Sequence, residues 1–279
     1  MHPDPTERQP FLELDVSSWP VTKDPIVRVD HMSEQHLFVT WCHPEGLIHP
    51  VGRLTRRVRE GSQAFQFVYF KNAERLTEEG FPLLPGLPEL HRVYEAEELF
   101  PVFRKRQMPP QRPDYGKYLE KLGLDPKTDP FEVMARNEGR KLTDRIEVFA
   151  TPVRTDGGEL TTLFFARGIR HRPGASEAVA QLNFGDHLAL VDDADNQVNA
   201  LAIHIDTAHG QPIGWVPNYL VNTVHDLREL SGDDAVTISV EHVNPPEVAP
   251  YMRLICRMSS PWPDGYQPFS DPEFQPIAS

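Results

Sequence analysis

The stretch that decides the fold runs from residue 164 to residue 220. It holds four short apolar runs separated by turns rich in Asp, Asn and Gly: FFARGIRHR (164–172), GDHLALV (185–191), ALAIHI (200–205) and IGWVPNYL (213–220). Short apolar runs at this spacing are typical of the strands of a small antiparallel barrel. The sequence therefore predicts a β-barrel in the C-terminal half, whose first run is a strand ending in basic residues.

Further elements extend this barrel toward the C-terminus. A helix is expected to begin near Pro217 and to continue to residue 230, and residues 235–243 and 252–257 read as closing strands. The barrel then spans residues 156–258. Residues 259–279 are rich in Pro and aromatic side chains, and we expect them to pack across the surface as an irregular tail.

The N-terminal half mixes strand and helix signals. Residues 37–42, 48–55 and 64–70 have the β-branched and aromatic bias of strands, and residues 95–106 have apolar residues at helical spacing. Asp129 before Pro130 is the pattern of a helix start. The predicted fold class is thus a β-rich α+β protein, with an irregular lead-in (1–36), an α+β domain (37–155), the barrel and the tail.

Composition bounds the class of protein. A chain of 279 residues favours two domains, and no run is long and apolar enough to span a bilayer. The first residues lack the charged and apolar regions of a signal peptide. Two distant cysteines, Cys42 and Cys256, form neither a disulfide framework nor a zinc site. We expect a cytoplasmic protein.

The net charge of −13 is unevenly distributed. Residues 1–150 hold 21 Lys and Arg against 24 Asp and Glu (net −3), whereas residues 151–279 hold 7 against 17 (net −10) and no lysine. Affinity for a phosphate backbone comes largely from cations that displace counterions. The C-terminal half could therefore hold only a short stretch or an end of a nucleic acid, through one local basic patch.

Three motifs in the C-terminal half carry a family resemblance. They are Gly168-Ile169-Arg170-His171, the segment NQVNALAI (196–203) and Gly214-Trp215-Val216-Pro217. Their order and spacing resemble the HIRAN domain, an SH3-like or OB-like barrel found in DNA-processing proteins. The resemblance implies recognition of single-stranded DNA, of a DNA 3′ end or of altered DNA, in DNA repair or in defence against foreign DNA.

The same resemblance implies roles for individual residues. Arginine can clamp a phosphate and a flat ring can stack on a base. Arg170 and Arg172 are expected to contact phosphate, His171 and Trp215 to stack, and Asn196 and Asn199 to make polar contacts.

A second resemblance covers residues 45–110. Val51-Gly52-Arg53-Leu54, the aromatic strand FQFVY (65–69) and the segment GFPLLP (80–85) are similar to the small N-terminal domain of HipA-type proteins. HipA proteins continue into a kinase domain, whereas this chain has no kinase signature set. The resemblance implies an accessory module. Its predicted hairpin would carry an accessory basic patch of Arg56, Arg57 and Arg59.

A protein-interaction adaptor remains an alternative to DNA binding. The HIRAN pattern has an aromatic residue and an acid where this chain has Val198 and Asn199, and valine cannot stack on a base. Arg170 and Arg172 could instead pair with Asp192 or Asp193, and Trp215 could fill the core.

The sequence favours a protein that is not an enzyme and has no metal or cofactor. The run Asp192-Asp193-Ala194-Asp195-Asn196 lacks the Gly and terminal Glu of a calcium loop. A hydrolase built on Cys42 and His43 is the remaining alternative, but Cys42 ends an apolar strand, which favours burial.

Overall fold

The computed structural model describes residues 33–59, 61–141 and 143–278. Most of the predicted lead-in, residues 1–32, lies outside the described residues, and residues 33–36 already belong to the first strand. The chain is a β-rich α+β protein with two antiparallel sheets, as the sequence predicts at that level.

The N-terminal sheet has five strands in the order β4-β3-β2-β1-β5. Alternate side chains of β1 face opposite sides, so Leu37, Val39 and Trp41 enter the main core while Phe38 joins an aromatic cluster on the other face. The strands and helices of this part are β1 (Ser33–Cys42), β2 (Ile48–Arg59), β3 (Ser62–Tyr69), α1 (Asn72–Glu78), β4 (Tyr94–Ala96), α2 (Pro101–Arg104), α3 (Tyr115–Lys121), α4 (Pro130–Arg136) and β5 (Ile146–Ala150).

Two local predictions in this half have different outcomes. The helix start at Asp129 is confirmed, because its carboxylate accepts a hydrogen bond from the backbone N–H of Phe131 and Pro130 occupies the first turn of α4. The helix predicted over residues 95–106 is confirmed only for residues 101–104, where Pro101 occupies its first turn. Residues 94–96 form strand β4 instead, because they pair with Phe65 to Phe67 of β3, and only residues 101–104 are helical.

The second sheet has seven strands in the order β10-β9-β8-β11-β12-β7-β6 and curls into a half-barrel. One isolated bridge between Arg167 and Trp215 brings β10 back to the segment that follows β7. Its elements are β6 (Val153–Arg154), β7 (Glu159–Phe165), α5 (Ala175–Val179), β8 (His187–Asp192), β9 (Ile203–Asp206), β10 (Pro212–Trp215), α6 (Asn218–Ser231), β11 (Thr237–Val243) and β12 (Leu254–Pro261).

Two predicted strands of the half-barrel are shorter than expected. The strand over residues 164–172 ends at Phe165, and residues 169–171 form a 3₁₀ turn instead. The strand over residues 200–205 is confined to β9, which begins at Ile203. The helix from Pro217 is confirmed as α6.

The chain passes from one sheet to the other between β5, which pairs with β1, and β6, which pairs with β7. Helices α3 and α4 lie between the sheets, where Leu119, Leu122 and Val133 pack on the outer face of β7 and β12. The division into two domains near residue 155 stays a prediction.

The C-terminal tail reaches back to the first sheet. Phe269 and Phe274 pack on Phe38, with ring centroids 5.3 and 5.4 Å away. The backbone N–H of Ile277 donates to the carbonyl of Tyr69 at 2.9 Å, and that of Lys71 donates to Gln275 at 2.9 Å. The tail thus contacts residues about two hundred positions earlier in the chain.

Candidate nucleic-acid interface

A sharp turn after β7 positions the predicted basic residues. Gly168 has φ 68°, in the left-handed region that favours glycine, and it starts the 3₁₀ turn of residues 169–171. Ile169 is buried in the barrel core, which leaves Arg170 and His171 exposed. Arg170 Nε donates to His171 Nε2 at 2.9 Å, so the two side chains form one exposed polar unit.

Arg172 covers Trp215. Its guanidinium carbon lies 3.9 Å from the centroid of the indole ring, the geometry of a cation–π contact. Trp215 is half-buried at the end of β10 and also packs on the backbone of Gly168. The indole ring of Trp215 is therefore not fully buried in the core. It is also not free to stack on a base, because the guanidinium of Arg172 covers it.

Asp193 connects these residues. Its Oδ2 accepts hydrogen bonds from Trp215 Nε1 at 2.8 Å and from Asn196 Nδ2 at 3.0 Å, and it lies 3.6 Å from Arg172 Nη2. The hydrogen bonds from Asn196 and then Trp215 lower the pKa of Asp193, with a smaller contribution from Arg172. Asp193 was predicted only as an alternative neutralising partner, and its place at the centre of the cluster had no signal in the sequence.

The two predicted asparagines mainly shape the loop between β8 and β9. Asn196 Oδ1 accepts from the backbone N–H groups of Val198 (3.0 Å) and Asn199 (3.1 Å). Asn199 Oδ1 accepts from the N–H of Leu201 at 3.0 Å. Asn196 thus joins the Arg172–Trp215 cluster through Asp193, whereas Asn199 lines a separate cavity of about 200 Å³ together with Asn218 and Asn222.

The predicted accessory patch lies on the β2–β3 hairpin of the other sheet. Arg56 pairs with Asp129 at 2.5 Å and stacks on Phe131, and Arg57 pairs with Glu34 at 3.3 Å. Arg59 is exposed near the tip. Two of the three positive charges are thus partnered by carboxylates, which weakens the patch.

Arg167, the first arginine of residues 164–172, points away from the Arg172–Trp215 cluster. Its Nη2 lies 2.8 Å from a carboxylate oxygen of Glu138 and 2.8 Å from one of Glu147, while Nε and Nη1 are buried without an acceptor among the described residues. Arg140 pairs with Glu147 at 3.0 Å, and Tyr219 donates to Glu138 at 3.3 Å. This group, which we call the junction cluster, joins the two sheets.

Burial of the junction cluster has a consequence for pH. Burial raises the pKa of Glu138 from 4.5 to about 7. The positive charge of Arg167 lowers this pKa, and the negative charge of Glu147 raises it. Between those two pH values the folded chain holds a proton that the unfolded chain has released. Stability from this group is therefore lost as the pH rises from 4.5 to 7.

We expect Glu138→Gln to reduce that pH dependence. One pKa unit corresponds to about 1.4 kcal/mol, so the effect over the window is up to about 3 kcal/mol. Urea unfolding at about pH 5 and about pH 7.5 measures it, with the exposed Glu98→Gln as the matched control. An unchanged difference between the two pH values in Glu138→Gln would contradict the assignment.

Cys42 and His43 do not form an activated pair. Cys42 Sγ donates to the backbone carbonyl of His43 at 3.6 Å, and burial, followed by the charge of Glu147, raises the pKa of the thiol. A thiol in this environment is a poor nucleophile. Among the described residues, no group of three or more His, Cys, Asp or Glu side chains is arranged to hold a metal ion.

The fold and the site together define a β-rich α+β protein whose half-barrel carries a small arginine–tryptophan cluster beside its closing bridge.

None of the helices in the described part of the chain is long and apolar enough to cross a membrane. No protein-family model and no curated protein matches the chain.

Two solved structures are similar to part of the chain. One is the HIRAN domain of human HLTF, with 15% identity and a TM-score of 0.27, covering 38% of this chain and 81% of that one. The other is a protein from Lactobacillus plantarum, with 16% identity and a TM-score of 0.29, covering 37% and 97%. At these scores the similarity carries no argument about function, and neither match supports the resemblance to HipA.

Proposed function

We propose that this chain is a non-catalytic protein that binds single-stranded DNA at an end, through the turn of residues 168–172 and the adjacent Trp215. The observation that carries the proposal is the stack of Arg172 on Trp215 beside the exposed pair of Arg170 and His171. Guanidinium groups bind phosphate, and a guanidinium plane or an imidazole ring offers a base a surface on which to stack. A role in DNA repair or in defence against foreign DNA follows from the HIRAN resemblance.

The charge distribution limits what this patch can bind. Arg170 has no carboxylate within ion-pair distance among the described residues, whereas Arg172 is held by Asp193. The surrounding half of the chain has a net charge of −10, so it repels a longer strand. With about two phosphates contacted, the slope of log affinity against log salt should be about −1.4 for a single strand.

Fluorescence anisotropy with short single strands at low salt tests the proposal. We expect Arg170→Ala and Arg172→Ala each to weaken binding about tenfold, or about 1.4 kcal/mol, because each removes a phosphate contact. Blocking the 3′ end should also weaken binding. Arg92→Ala, which removes an exposed arginine paired with Glu89, is the matched control and should change nothing.

A substitution that is expected to increase the affinity for DNA gives a second test in the same assay. Asp193→Asn removes the negative charge beside Arg172 but keeps an oxygen that can accept from Trp215 Nε1. We expect it to tighten binding several-fold. An absence of binding at low salt, or equal affinity for the wild-type chain and Arg170→Ala, would rule out DNA-end recognition.

A protein-interaction adaptor is the second candidate, and one observation favours it. Val191, Val198 and Leu201 on β8 and the loop that follows are 40%, 46% and 53% exposed. Large contiguous apolar patches mark protein-binding surfaces, and these three exposed side chains are the observation that favours such a surface here. A chain that folds normally and does not bind oligonucleotides at low salt would favour this candidate.

A further inference from the structure

A second cavity lies between the two sheets, away from the proposed DNA site. It has a volume of about 410 Å³, within the range of roughly 300–1,000 Å³ that is usual for small-molecule sites. Helix α4 and strand β5 form one side, and strands β7 and β12 form the other. None of its lining residues belongs to the Arg172–Trp215 cluster.

Two arginines line this cavity. Arg136, in the last turn of α4, donates through Nη1 to the carbonyl of Leu122 at 3.2 Å and makes no ion pair among the described residues. Burial lowers the pKa of Arg136, the nearby carboxylates of Glu132 and then Glu241 raise it, and Arg257 lowers it by a smaller effect. Arg257 pairs through Nε with Glu241 at 2.9 Å. Within the described part of the chain, Arg136 therefore has carboxylates nearby but none at ion-pair distance.

The rest of the wall suits an organic molecule. Thr151 and Thr162 supply hydroxyl groups, and Val153 and Leu163 supply apolar surface. Two carboxylates also line the cavity. Glu138 is already paired with Arg167, and Glu132 lies one helical turn before Arg136 on α4. Arg136 and Glu132 are thus the two charged side chains of the wall that make no ion pair among the described residues, and Arg136 is the one of them that can hold an anion.

We infer that this cavity binds a small organic anion, whose phosphate or carboxylate group is held by Arg136 and Arg257 and whose apolar body lies against Val153 and Leu163. Arginine is suited to both anions because its guanidinium donates two parallel hydrogen bonds. This inference goes beyond the proposed function, since it concerns a different site and a small ligand.

Calorimetric titration of the full chain with phenyl phosphate and with benzoate tests the inference. We expect saturable binding of at least one of them, and at least tenfold weaker binding in Arg136→Gln and in Arg257→Gln. Arg104→Gln, an exposed arginine paired with Glu98, is the matched control and should bind as the wild type does. Preference for phenyl phosphate assigns a phosphate ligand, and preference for benzoate assigns a carboxylate.

Three results would overturn the inference. They are no binding of either anion, a response matched by sodium chloride at the same ionic strength, and unchanged affinity in both glutamine variants. Where Arg136→Gln does not fold, Arg136→Lys and Arg257→Gln serve instead, and the lysine should retain part of the affinity because it keeps the charge. Arg257→Gln should leave oligonucleotide binding unchanged, so failure of the DNA proposal and failure of this one are distinguishable.

Discussion

Replacing Arg167 with methionine should destabilise the chain by about 3–5 kcal/mol at neutral pH, because it removes the cation shared by the buried Glu138 and Glu147 and leaves Arg140 beside Glu147 alone. Methionine fills a similar volume, so the loss reports on charge more than on a cavity. Urea unfolding at about pH 7.5 measures the effect. The exposed Arg104→Met, which breaks a pair with Glu98, should cost under about 1 kcal/mol.

A double substitution separates charge from packing at the same position. Adding Glu138→Gln to Arg167→Met removes the carboxylate that has lost its ion-pair partner among the described residues, so part of the lost stability should return. The cost of Arg167→Met should also be smaller at about pH 5, where Glu138 is protonated in the folded chain. A cost that is the same at both pH values, with no recovery in the double variant, would show that the junction cluster is not held together by charge.

Gly168→Ala should cost about 3 kcal/mol. A Cβ at this position would lie 2.5 Å from Trp215 Cε3, and φ 68° strains any residue with a side chain. The displaced indole would also lose the stack with Arg172, so oligonucleotide binding should fall with stability. Urea unfolding and anisotropy measure the two effects.

Gly185→Ala is the matched control for this substitution. Gly185 has φ 84°, but a Cβ added there would meet no other atom within 4 Å, so the alanine should cost only the backbone strain, about 1–2 kcal/mol. Equal losses in the two variants would mean that Trp215 does not depend on the close approach of Gly168.

The parts of the fold that local chemistry decides could be predicted from the sequence. Asp129 followed by Pro130 starts a helix wherever it lies, because the cap needs only the next few residues. The β-rich class followed from short apolar runs. The end of β7 was placed too late, because the strand stops where its partner Ile255 ends the pairing and Gly168 turns the chain, neither of which apolar patterning shows.

The sequence named the residues of the candidate site but not the contacts among them, and their role stays a prediction. Arg170, His171, Arg172 and Trp215 were chosen by motif, and the bridge between Arg167 and Trp215 places that turn beside β10. The hydrogen bonds of Asp193 with Trp215 and Asn196 could not be predicted, because they depend on how the β8–β9 loop folds back. The pairing of Arg167 across to the other sheet likewise has no counterpart in sequence spacing.

The path of the tail has a consequence for how the chain reaches its native state. During synthesis, the ring of Phe38 emerges long before Phe269 and Phe274, which finally cover it. Contacts across so large a sequence separation slow folding, because a long loop must close before they form. The apolar face of the N-terminal sheet around Phe38 therefore stays without these two rings until residues 269–274 have been synthesised.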